Sequence, residues 1–151
     1  MIDIDVARRL QHAGLPWFPA EGDLFAIDTE QLRDEAFMLS SMVIESAEGR
    51  SGQKIFRFNG TTEWALDSVE QHEALWIPRE EQLRDALGTD FVSLRREQDG
   101  GFVVSAVLDP RGEVQEVRAP HAEDAYAGAL LMRLTADGPQ SAEPSPTSGD
   151  Q

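Results

Sequence analysis

The stretches Phe91-Val-Ser-Leu-Arg-Arg96, Gly101-Phe-Val-Val-Ser-Ala-Val-Leu108 and Glu113-Val-Gln-Glu-Val-Arg118 decide the architecture. Each is short and carries the β-branched or aromatic residues that suit a pleated, half-buried surface. Between them lie Gln98-Asp99-Gly100-Gly101 and Asp109-Pro110-Arg111-Gly112. Gly supplies positive φ, Pro presets φ, and Asp bonds its own backbone, so both linkers read as tight turns. The three runs are therefore expected to form an antiparallel meander.

Helices are expected on both sides of it. Upstream, Pro78 suits a first helical turn, Arg79-Glu80-Glu81-Gln82-Leu83-Arg84-Asp85-Ala86-Leu87 follows, and Gly88 stops it. Downstream, a helix should run from Pro120 to about Leu134, with Glu123 and Asp124 in its first turn and Arg133 in its last, as the dipole favours. Ala125, Tyr126, Ala129, Leu130, Met132 and Leu134 give it a broad apolar face.

The first half reads less sharply. Asp3 or Asp5 can cap an opening helix in which Ile2, Val6 and Leu10 share a face, and Gly14 ends it. Leu15-Pro16-Trp17-Phe18-Pro19 is an irregular aromatic segment, and Asp23–Asp28 a short strand. Thr29–Glu35 reads as one helical turn. Phe37–Glu45 and Lys54–Phe58 read as two strands joined by the loop Ser46–Gln53, and Glu63–Val69 as a further strand. The order of helix, strands, helix, strands, helix argues for α+β with antiparallel sheet segments and three helices, arranged as two similar helix-plus-three-strand halves.

The chain has 151 residues, which suits one domain, here 1–135. Residues 136–151 are rich in Pro and Ser and nearly without apolar side chains, the composition of a disordered tail. Of the net charge of −15, the tail holds three acids (Asp137, Glu143, Asp150) and no base, leaving −12 on the body. Such a balance excludes nucleic-acid binding through a general basic patch, since each phosphate contact needs Lys or Arg. Zero cysteines exclude disulfides, thiolate metal sites and a Cys nucleophile within this sequence. Two acids follow Met1 where a signal peptide needs basic residues, and no run approaches the ~20 apolar residues of a membrane span. A cytoplasmic protein without membrane contact is expected.

Catalytic signatures are missing where their chemistry would need them. Arg79-Glu80-Glu81 invites comparison with the Nudix signature, which requires a Glu pair where Leu83 and Arg84 stand, a Glu where Gln71 stands and a Gly where Ala65 stands. No Gly-rich loop ends in Lys-Ser or Lys-Thr; Lys54 is the sole Lys and falls on a strand. His12, His72 and His121 lack ligand spacing. Asp67, Glu70 and Glu73 recur every third residue, as carboxylates around a hard cation can, but a solvated face is the more economical reading. No catalytic residue, metal or cofactor is assigned.

Trp17, Trp64 and Trp76, with Phe18, Phe56 and Phe58, could line a pocket or simply fill a core. Trp64 and Trp76 bracket Asp67, Glu70 and Glu73, and these five residues form the candidate partner-binding surface, aromatic anchors with a charged rim. The leading expectation is a non-catalytic accessory module that binds a basic protein, or a second copy of itself, through that surface. A small-ligand site or enzyme built on Asp67–Glu73 is the first alternative. An acidic mimic of nucleic acid, with its acids spread over one elongated face, is the second.

Phe58-Asn59-Gly60-Thr61-Thr62-Glu63-Trp64-Ala65-Leu66-Asp67-Ser68-Val69 and Ala74-Leu75-Trp76-Ile77-Pro78-Arg79-Glu80-Glu81-Gln82-Leu83-Arg84, continued by Ala125-Tyr126 and Ala129-Leu130-Leu131, carry a resemblance. The chain resembles a group of small actinobacterial proteins often labelled pilus assembly protein CpaE. The resemblance spans most of 1–135 and implies little about activity. The MinD-type ATPase that the label denotes needs a phosphate-binding loop, which this sequence lacks. The part from Ile77 onward is also similar to a short module of phage and bacterial proteins without known chemistry.

Overall fold

The computed structural model describes residues 1–27, 35–38, 44–48, 54–58, 68–70 and 74–136. Helix α1 spans Ile4–His12, followed by strands β1 (Leu24–Ile27), β2 (Ala36–Met38), β3 (Ile44–Glu48), β4 (Lys54–Phe58), β5 (Ser68–Glu70) and β6 (Ala74–Ile77). Helix α2 (Glu80–Leu87) leads through a 3₁₀ turn to β7 (Phe91–Arg96), β8 (Phe102–Val107), β9 (Val114–Ala119) and helix α3 (Ala122–Ala136). The fold is α+β. Its described strands form three antiparallel sheets in the orders β2-β1-β6, β3-β4-β5 and β7-β8-β9.

The meander forms because its turns close as their residues dictate. Asp99 Oδ1 accepts from Gly101 N at 2.9 Å, and Gly100 takes φ +94°. Asp109 Oδ1 accepts from Arg111 N at 2.9 Å, the Asx turn that such a residue favours. One face of β8 offers Val104 and Ala106 to the core, flanked by Leu94 and Phe91 on β7 and Val117 on β9. On the opposite face Arg95 and Glu116 meet across β8 in a two-pronged ion pair of 2.6 and 3.2 Å. Being solvent-exposed, that pair adds little stability.

Helix α3 is the hub. It packs on β8 and β9 and also touches α1 and α2. A helix contacted on several sides must be apolar around most of its girth, and Ala125, Tyr126, Ala127, Ala129 and Leu130 are all buried. Its small residues let neighbours approach: a Cβ on Gly128 would stand 3.0 Å from Val117 Cγ1. Met132, expected on the apolar face, is instead exposed, while Leu131 and Leu134 pack against the core and Arg133 pairs with Asp90 at 2.9 Å. One core runs from Ile2, Ala7 and Leu10 near and on α1, through Ala26, Leu75 and Ile77, to Leu83, Tyr126 and Leu130.

Several boundaries differ from the sequence expectation. Phe37–Glu45 is not one strand: Ala36–Met38 pairs with β1, whereas Ile44–Glu48 pairs with β4 in another sheet. An apolar run cannot say whether it serves one strand or two. Ser46–Glu48, expected in a loop, belong to β3, and of Glu63–Val69 the described part, Ser68 and Val69, lies in β5. The helix expected from Pro120 begins at Ala122. The two expected halves are not alike: α1 is followed by six described strands in two sheets, where β1 is central and takes β6, about fifty residues later, as its second neighbour, whereas α2 is followed by the one three-stranded meander. The helical turn expected at Thr29–Glu35 falls outside the described residues except for Glu35, as does the tail except for Ala136, the last residue of α3.

Tyr126, the single tyrosine, is 1% exposed and packs at 5.5 Å on Phe91. Burial raises its phenol pKa above the ordinary tyrosine range. A raised folded-state pKa means that the stability tied to the neutral phenol is complete below the ordinary range, about pH 10, and is lost as pH rises through the shifted value. Alkaline titration should therefore show tyrosinate absorbance rising together with loss of helical circular dichroism. A tyrosinate that forms in the still-folded protein within the ordinary range would contradict this burial.

Candidate functional site

The irregular segment between α1 and β1 owes its shape to one buried carboxylate. Asp23 is 2% exposed. Its Oδ2 accepts from Trp17 Nε1 at 2.9 Å and from Ala20 N at 3.0 Å, and its Oδ1 from Gln82 Nε2 at 2.6 Å. Asp23 N in turn donates to Ala20 O at 3.1 Å, closing the turn from both sides. Gln82 is a two-way clamp: its Oε1 accepts from Arg79 N at 3.0 Å, which caps α2 and fixes the amide's orientation. Arg79 Nη1 donates to Gly22 O. Arg79 also holds Glu81 at 2.6 Å and keeps that exposed carboxyl below the usual carboxylate range. The loop is thus closed on itself by two donors on Asp23 and tied to α2, some sixty residues away, by the Gln82 amide on the same acid and the Arg79 guanidinium on the Gly22 carbonyl.

What this loop presents is aromatic. Pairing puts Phe37 on β2, Phe25 on β1 and Trp76 on β6 side by side across one sheet face. Phe25 meets Phe37 at 5.7 Å, and the pinned Trp17 lies 6.3 Å from both Phe25 and Trp76, its ring within 4° of parallel to that of Trp76. Such pairs contribute about 0.5–1.5 kcal/mol each beyond area burial. Phe18, next to Trp17 and framed by Pro16 and Pro19, is 83% exposed. A cavity of about 180 Å³ lies between α1 and β6, lined by Leu10, Gln11, Leu15, Trp17, Ala74 and Trp76 among others. Among the described residues none of the cavity's lining side chains is charged. Its geometry suits binding.

The sequence candidates are placed unevenly. Trp64, Asp67 and Glu73 fall outside the described residues. Glu70 pairs through its backbone with Ile55 on β4, while Trp76 sits half-buried on β6 of a different sheet. Trp17 and Trp76, grouped in the sequence among aromatics that could line a pocket, do line one cavity. Asp23 was legible only as the start of a strand, and no local signal marks its partner Gln82. Among the described residues no group of three or more His, Asp or Glu is placed to hold a metal, and no helix is long and apolar enough to cross a membrane. Comparison with protein-family models, with curated proteins and with solved structures gave no match to this chain.

Proposed function

We propose that this protein is a non-catalytic cytoplasmic accessory module that binds a basic protein partner, with Phe18 as an anchor. The observation that carries the reading is an exposed aromatic side chain on a loop whose conformation is fixed by Asp23, Gln82 and Arg79. Fixing the loop beforehand removes much of the ordering entropy that would otherwise oppose binding through that ring. Aromatic anchors on rigid supports are the residues that dominate interface energies. The charge of −15 favours a basic partner and fast, salt-sensitive association. The cytoplasmic placement and the likeness to CpaE-labelled proteins are part of this proposal and rest on the sequence reading. Trp64, Asp67, Glu70, Glu73 and Trp76 stay proposed as partner-binding residues on the sequence reading alone.

The test is capture of partners by the tagged full chain at low and high salt, in parallel with Phe18→Ala. A stoichiometric basic protein, released by salt and absent with Phe18→Ala, is the expected result. Recovery of the same proteins by the wild type and by Phe18→Ala would overturn the anchor, and recovery of the chain alone would overturn the partner.

A further inference from the structure

We infer that the free edge of β9 pairs antiparallel with β9 of a second copy of this chain, joining two three-stranded meanders into one continuous sheet. The inference stands apart from the protein-binding proposal, which concerns the loop around Phe18. β9 takes β8 as its neighbour, and among the described residues no strand lies along its other side. An unpaired edge leaves a row of N–H and C=O groups open to a further strand. The meander has two such edges, and they differ. β7 is interrupted by a register shift between Phe91 and Ser93, and its charged residues are Arg95 and Arg96, side by side. A bulge and a run of like charge both discourage a further strand. β9 keeps unbroken register with β8 from Val114 to Ala119.

The sequence of β9 complements itself in one register. About a two-fold axis perpendicular to the sheet, facing residues point to the same side, so the axis passes through a residue position. Centred on Glu116 it would set acid against acid, and centred on Arg118 base against base. Centred on Val117 it sets Glu116 opposite the copy's Arg118, twice by symmetry, with Val114 opposite Pro120 and Gln115 opposite Ala119. Pro120, without an N–H, ends the ladder where β9 itself ends. Charge then alternates across the seam, because Arg95 already holds Glu116 at 2.6 Å and Glu97 lies 3.3 Å from Arg118. Such exposed pairs fix the register more than they add affinity. Apolar groups along the edge supply the burial. Val114 is exposed on one face. On the other, Val117 is half-buried against Gly128 of α3, and the exposed Met132 stands one turn further along that side of the helix. A net charge of −15 opposes contact between copies, so a surface that meets itself has to cancel its own charge, as Glu116 and Arg118 do.

The test is sedimentation of the full chain and of two charge reversals, Glu116→Arg and Arg118→Glu, over a micromolar concentration series. The wild type should show a reversible monomer–dimer equilibrium. Each reversal alone sets like charges against each other at both symmetry-related positions and should weaken the dimer about tenfold or more. An equimolar mixture of the two variants, each with unchanged circular dichroism, should dimerise again, because the bases of one then face the acids of the other. Amide exchange of the wild type gives a reading that no variant's folding can affect: edge amides of β9 should slow as concentration rises, while those on the β7 edge should not. A wild type that stays monomeric, a dimer indifferent to both reversals, or β9 exchange that does not depend on concentration would overturn the proposal. Variants that stay apart when mixed would overturn the register.

Discussion

Asp23→Ala is expected to lower the unfolding free energy by about 3 kcal/mol, measured by urea denaturation. The change strands three donors at once: the Trp17 indole, the Ala20 amide and the Gln82 carboxamide. The three bonds are partly buried, so water replaces only part of what is lost, and hydrogen bonds to a carboxylate are the stronger kind. Asp23→Asn separates shape from chemistry. Its amide oxygen can replace Oδ2 toward Trp17 and Ala20, but its NH₂ then faces the NH₂ of Gln82. Gln82 cannot simply turn over, because its oxygen already accepts from Arg79 N. A loss of roughly half that of Asp23→Ala is expected. Equal stability of wild type and Asp23→Ala would contradict the description of this carboxylate as the tie between loop and α2.

Tyr126→Ala is expected to cost about 3–5 kcal/mol, the range for deleting a buried aromatic ring. The ring lies in the common core against Phe91, on the helix that touches both other helices and the meander. Its removal should leave a void that neighbours on three elements cannot close together. Tyr126→Phe keeps the ring, so it should stay within about 1 kcal/mol of wild type. It should also abolish the alkaline loss tied to the phenol, since no ionisable group remains at that position. A full-sized loss with Tyr126→Phe would mean that the hydroxyl, rather than the ring, carries the stability.

How much of this was legible in the sequence follows from the range of the forces involved. The meander, α2 and α3 were legible because their signals are local: Asp-Gly and Asp-Pro-x-Gly turns, Pro78 ahead of a helix and Gly88 after it, acids at one helix end and Arg133 at the other. The sequence narrowed the cap of α1 to Asp3 or Asp5, and it is the Asp3 carboxylate that accepts, from Asp5 N at 2.8 Å. The pairing of β1 with β6 was not, because strands so far apart in sequence recognise each other only through the assembled core. The aromatic row shares that limit: Phe25, Phe37 and Trp76 become neighbours only once register is set. Asp23 shows the limit most plainly. One acid among 28 in the sequence, it is distinguished only by its burial and by a donor on α2.

Phe18 is the point at which the structural account becomes a functional one, and its contribution to binding can be measured directly. Calorimetric titration of the captured partner with wild type and Phe18→Ala, each at low and at high salt, tests the central claim. Phe18→Ala should weaken binding by at least 2 kcal/mol at both salt concentrations, as an anchor residue does, while leaving the urea midpoint unchanged. Salt should weaken the wild-type and variant complexes by the same factor, because the charge that attracts the partner is spread over the domain. An affinity indifferent to Phe18 would contradict the account.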